Sequence, residues 1–115
     1  MIYEQALSEL MRKENIANGA IYLENNYFLS ATLPSEINKV TINYVSGFAL
    51  SKLKGTLTMY RVIPAYIEQG QLKVTIVRLR VKRKGRQIDF VTSGGVDLFY
   101  AYDCNTNNYR LSKVD

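Results

Sequence analysis

Lys73, Arg78, Arg80, Lys82, Arg83, Lys84 and Arg86 fall within fourteen consecutive positions that contain no acidic residue. They are seven of the fifteen lysines and arginines of the chain, and the other eight stand against ten acids, so this stretch carries the whole net charge of +5. Arg78, Arg80 and Lys82 share one strand parity and Val77, Leu79 and Val81 the other, which predicts a basic stripe leading into a basic turn at Lys84-Gly85-Arg86. Such a stripe attracts phosphate groups, with steep salt dependence when several are neutralised, or an acidic protein surface. Tyr100 and Tyr102, on the strand that follows, are candidate aromatic neighbours on which bases would stack. The bland use of the same residues is to keep an exposed strand soluble and unpaired.

Other chemistry is harder to assemble. The 115 residues include no histidine, which removes the commonest general base, the usual Ser-His and Cys-His pairs and most zinc or iron sites. The single cysteine, Cys104, excludes an internal disulfide and a multi-cysteine metal cluster, and reads as a half-buried thiol near a turn. Asp97 and Asp103 share strand parity but are six positions apart, too far for paired carboxylates. Ser93-Gly94-Gly95 suggests a phosphate loop, yet Val96 to Tyr102 reads as a strand rather than the helix such a loop requires, so a turn or bulge is expected. Lys84-Gly85 opens like the RNA-recognition signature, but Arg86 and Gln87 stand where an aromatic and a small residue belong. No catalytic residue, metal ligand or cofactor is assigned; a small enzyme using carboxylate or tyrosine chemistry stays open as an alternative.

The elements that must carry these residues follow from periodicity. Tyr3, Ala6, Leu7, Leu10 and Met11 recur at three and four, predicting a helix over 2–14, with Glu4 near its start and Arg12 and Lys13 near its end. Asn18-Gly19 then turns the chain. Ala20–Leu23 and Tyr27–Leu29 flank Glu24-Asn25-Asn26 as a candidate hairpin, and Pro34 marks a break. Val40, Ile42 and Tyr44 alternate with polar residues as a strand, while Phe48 to Lys54 fits neither period. Thr56 to Ile63 reads as a strand stopped by Pro64, and Glu68-Gln69-Gly70-Gln71 as a hairpin turn with Gly70 at positive φ. In the strand from Leu72 to Arg83 the apolar phase changes from even (Leu72, Val74, Ile76) to odd (Val77, Leu79, Val81), which predicts a β-bulge near Ile76-Val77 in a strongly curved sheet. Lys84-Gly85 and Ser93-Gly94-Gly95 introduce further strands, Asp103 to Asn108 is a polar turn, and Tyr109 to Val114 is the last strand.

One helix followed by short strands and short turns predicts an α+β fold: an N-terminal helix packed on a curved, mainly antiparallel sheet of six to eight strands, in a single domain over 1–115. In element order the chain resembles the small cystatin-like and NTF2-like domains. The stretches Ile21-Tyr22-Leu23-Glu24-Asn25-Asn26 and Ser93-Gly94-Gly95 through Tyr102-Asp103-Cys104 look like those of small bacterial proteins with no assigned function. Neither resemblance supplies a catalytic residue. The expectation is a non-enzymatic binding or protein-interaction domain, its partner a protein or a small-molecule ligand held in a concavity, with nucleic acid bound by the 73–86 hairpin as the alternative. Pairing of exposed strand edges into a homodimer is compatible with this. No apolar stretch reaches the ~20 residues of a membrane span, and the start lacks a secretory signal, as a mature exported protein also would.

Overall fold

The computed structural model describes residues 2–115. The chain runs α1 (Ile2–Lys13), β1 (Gly19–Glu24), α2 (Tyr27–Ser30), β2 (Glu36–Ile37), β3 (Val40–Val45), α3 (Gly47–Leu50), β4 (Thr56–Glu68), β5 (Gln71–Lys84), β6 (Gln87–Asp103) and β7 (Asn108–Val114). The seven strands form one sheet in the order β2-β3-β1-β4-β5-β6-β7. The fold is therefore α+β as expected, but the sheet is mixed and is not clearly curved. β1 pairs in parallel with β3 and, through Leu23 and Tyr60, with β4; the remaining pairs are antiparallel.

The parallel pairing replaces the expected hairpin at Glu24-Asn25-Asn26. The Asn26 side chain accepts a hydrogen bond from the Phe28 amide (3.0 Å), so it caps the single turn α2 instead of closing a hairpin. Leu29 of that turn is buried in the core, and the chain then crosses to lay β3 beside β1 in the same direction. Ser46 likewise caps the short turn α3, its hydroxyl accepting from the Ala49 amide.

Pro64 does not stop β4 either. Pro64 and Ala65 together face Val74, a bulge between the Ile63–Thr75 and Tyr66–Lys73 pairs. β1 has already ended there, so proline sits at a sheet edge where its missing donor is not needed. The Ala65 amide donates to the Tyr3 hydroxyl (2.9 Å), tying the bulge to α1. The turn after β4 has Gln69 at φ 51° and Gly70 at φ 78°, as a two-residue hairpin with the strands' twist requires.

The phase change in β5 has a different origin from a bulge in that strand. β4 and β5 stay in register from Thr56–Lys82 to Ile63–Thr75. Val74 and Ile76 face α1 and join the larger core with Leu7, Leu10, Val62, Val96 and Leu98. Leu79 and Val81 face the other side and join a second cluster with Val45, Leu50 and Met59. One continuous strand thus serves two cores on opposite faces of the sheet. The bulge lies two residues further on and in the partner: Arg78 pairs Gly94 and Leu79 pairs Thr92, leaving Ser93 as the extra residue of β6. Ser93-Gly94-Gly95 accordingly interrupts the pairing of one long strand and does not separate two. Ser112 is similarly extra in β7, its hydroxyl donating to the Phe99 carbonyl.

Candidate functional site: the basic end of the sheet

The sheet end formed by the β5–β6 hairpin and the start of β4 extends past the C-terminus of α1. Along the face that α1 covers elsewhere, Arg80 lies between Thr58 and Val91, and Lys82 between Thr56 and Asp89. Arg80 and Lys82 are exposed and have no carboxylate partner among the described residues. Lys84 pairs with Asp89 (3.4 Å), and Arg86 is exposed in the turn.

Arg83 has the opposite parity and reaches the other face. Its Nε donates to the Leu53 carbonyl (3.0 Å) and its Nη1 to that of Gly85 (2.9 Å). These bonds bring the segment after α3 alongside the hairpin, and Lys52 and Lys54 with it. Lys52 places its ammonium 4.4 Å from the centre of the Phe48 ring. Neither lysine was singled out from the sequence, because only the fold joins 52–54 to 80–86; the odd parity of Arg83 within a run of even cations was the available signal. Seven cations (Lys52, Lys54, Arg80, Lys82, Arg83, Lys84 and Arg86) thus share this end of the sheet, divided between its two faces, with one acid, Asp89, while the rest of the chain holds eight basic and nine acidic residues.

Arg78 belongs to a different arrangement. Its guanidinium bonds the Glu14 carboxylate, the Ser93 carbonyl and, through Nε, the Ser93 hydroxyl (3.2 Å). Glu14 also accepts from the Tyr60 hydroxyl (2.8 Å). Burial first, and then the bond and negative charge of Glu14, raise the Tyr60 pKa well above the usual phenol range. Lys13 adds a bond to the Gly95 carbonyl (3.2 Å). Together these contacts fasten the end of α1 to the β6 bulge, and they consume Arg78 as a free cation.

Tyr100 and Tyr102 are not neighbours of the basic end. The register sets Tyr100 opposite Leu72, at the far end of β5. Tyr100 is fully buried, its hydroxyl donates to the Ile2 carbonyl (3.4 Å), and burial pushes its pKa up to about 12. Tyr102 is half-exposed, packs edge-on against Tyr109 (5.4 Å between ring centres) and bonds Asn107. The apolar residues that do flank the cations are Phe90, paired with Val81, and Val91, paired with Arg80.

A hollow of about 360 Å³, on the face away from α1, is lined by Tyr22, Asn43, Val45, Leu50 and Leu53. Among the described residues no three metal-ligating side chains gather, and none of the helices is long and apolar enough to cross a membrane. Cys104 is exposed rather than half-buried, in the polar turn between β6 and β7. Comparison with protein families, curated proteins and solved structures found no match.

Proposed function

We propose that this chain is a non-enzymatic binding domain that holds an acidic partner, a protein in the first instance, against the basic end of its sheet. The observation that supports this is the gathering of cations there with so few carboxylates to neutralise them. Arg80 and Lys82 are two strand residues apart, roughly 7 Å, at which distance two charges repel by about 0.6 kcal/mol in water before salt screening. The fold accumulates several such terms without an internal return, and an anionic partner reverses their sign.

The test is titration of fluorescein-labelled polyglutamate at about 50 and about 200 mM salt, a range over which multiple ionic contacts weaken sharply. Wild-type protein is expected to bind at low salt and release at high salt. A variant with Lys52, Lys54, Arg80, Lys82 and Arg86 replaced by glutamine, and Arg83 kept for its bonds to the Leu53 and Gly85 carbonyls, is expected to lose binding while keeping its fold. Absence of binding at low salt, or equal binding by the variant, overturns the reading.

A second reading has its own observation. Arg80, Lys82 and Lys84 lie in a straight, evenly spaced row, which suits a chain of phosphates as well as a chain of carboxylates. Tighter binding of single- or double-stranded oligonucleotides than of polyglutamate, lost in the same variant, selects nucleic acid.

A further inference from the structure

Beside the basic end runs a stretch of open sheet edge. β7 covers only the last part of β6, from Leu98 onward, with a backbone pair between Asp97 and Asp115 just before it. From Gln87 to Val96, β6 has β5 on one side and, among the described residues, no strand on the other. The two-residue turn Gly85-Arg86 makes Lys84 and Gln87 a hydrogen-bonded pair, and antiparallel pairs alternate from there. Ile88, Phe90 and Thr92 consequently point their backbone N–H and C=O groups outward, and nothing among the described residues takes them up.

The start of β4, Thr56–Met59, is also unpaired on its β1 side but faces β1 across a hollow; the remaining edges are guarded. β7 carries Arg110, Lys113 and the Ser112 bulge; β4 past β1 has Pro64 and a donor occupied by Tyr3; β2 is two residues long. Over Ile88–Thr92 the only charge is Asp89, and Phe90 and Val91 are 45% and 58% exposed. An apolar, unpaired edge of this kind is a template for an added strand.

We infer that the edge of β6 over 88–92 takes up an extended, acid-bearing peptide segment as a further strand of the sheet. The alternation of the sheet sets the segment's pattern. Residues on the α1-free face meet Ile88 and Phe90 and are apolar; on the other face the residue beside Val91, within the span of the Arg80 and Lys82 side chains, is acidic, whereas the one beside Asp89 is not, because Asp89 shares that face. A second copy of this chain fits less well, because pairing β6 with itself across a two-fold axis sets two cation clusters side by side. The inference rests on the function proposed above and specifies how the acidic partner is held.

The probe is a labelled peptide of alternating valine and glutamate, compared with two versions carrying N-methyl groups on every second backbone nitrogen, one in each phase. Binding is expected to slow amide exchange at Ile88, Phe90 and Thr92. Methylation in one phase only should weaken binding at least about tenfold, as loss of two or three hydrogen bonds of about 1 kcal/mol each requires. Binding without protection of those amides, or equal loss in both phases, overturns strand addition. If polyglutamate still binds in a salt-dependent way, the basic-end reading survives that result; if neither probe binds, both fall. A concentration-dependent dimer that protects the same three amides without peptide overturns the choice of occupant.

Discussion

Replacement of Gly95 by alanine tests the account of the β6 bulge most directly. Gly95 has φ +155°, and a Cβ built there lies 2.5 Å from the Ile76 carbonyl oxygen and 3.2 Å from the Val77 Cα, both backbone atoms. No rotamer relieves such a contact; β5 or β6 must move, and Ile76 is fully buried. Holding a residue with a side chain in a sparsely populated conformation costs about 1–3 kcal/mol, and disturbing a buried carbonyl's bonding costs about 1–3 kcal/mol more. The expected loss is about 2–6 kcal/mol, a large share of a small domain's stability. Gly70→Ala supplies the control, since Gly70 has φ +78° with nothing within 4 Å of the built Cβ, leaving only the left-handed penalty of about 1–2 kcal/mol. Gly94→Ala belongs between them, because its Cβ meets the movable Arg78 guanidinium at 2.7 Å. Urea denaturation of the three variants, compared at equal m, gives the ranking. A Gly95→Ala loss no greater than that of Gly70→Ala refutes the claim that the bulge depends on a close backbone approach.

Three further outcomes are expected. Arg78→Gln and Glu14→Gln each cost about 1–3 kcal/mol in urea denaturation, and the double variant costs less than their sum, because both remove one interaction; strict additivity would show that the pair is not coupled. Tyr60 and Tyr100 have raised pKa values, so the folded state keeps protons that the unfolded chain releases from about pH 10, and stability falls between pH 10 and about 12. Each contributes a slope of about 1.4 kcal/mol per pH unit there; Tyr100→Phe should flatten the alkaline decline, and an unchanged slope counts against a buried phenol. Cys104 should react fully with a thiol reagent in native buffer, since it is exposed; protection until denaturant is added would contradict its placement.

The parts of the fold legible from the sequence were those where one local pattern has one structural answer. The helix stripe from Tyr3 to Met11, the alternation in Val40–Tyr44 and the Gln69-Gly70 turn are of this kind. Glu24-Asn25-Asn26 misled because asparagine suits a hairpin and a helix cap equally, and the long-range partner β3 decided between them. The odd–even switch in β5 was a true signal with two readings, a bulge or a change of buried face, and periodicity within one strand does not separate them. At the candidate site, the cations were visible in sequence, whereas their sorting was not. Arg78 is withdrawn by Glu14, which is distant in the chain, and Lys52 and Lys54 arrive through the Arg83–Leu53 bond and the packing of Leu50 and Leu53 in the second cluster. Tyr100 and Tyr102 share a strand with the neighbours of the basic residues but sit beyond the Ser93 bulge, at the opposite end of β6.

The division of the apolar residues between two faces has a consequence for how the molecule breathes. The cluster under the basic end has five buried members, Val45, Leu50, Met59, Leu79 and Val81, whereas the cluster under α1 has eighteen, spread along most of the sheet. Local opening free energy follows the apolar contacts that must be given up. The hairpin from Val81 to Phe90 is therefore expected to open at lower free energy than Val74 or Leu98, which amide exchange would show as weaker protection. Under the proposed function, ordering on contact with a partner is confined to the end with the smaller cluster, away from the helix-covered half.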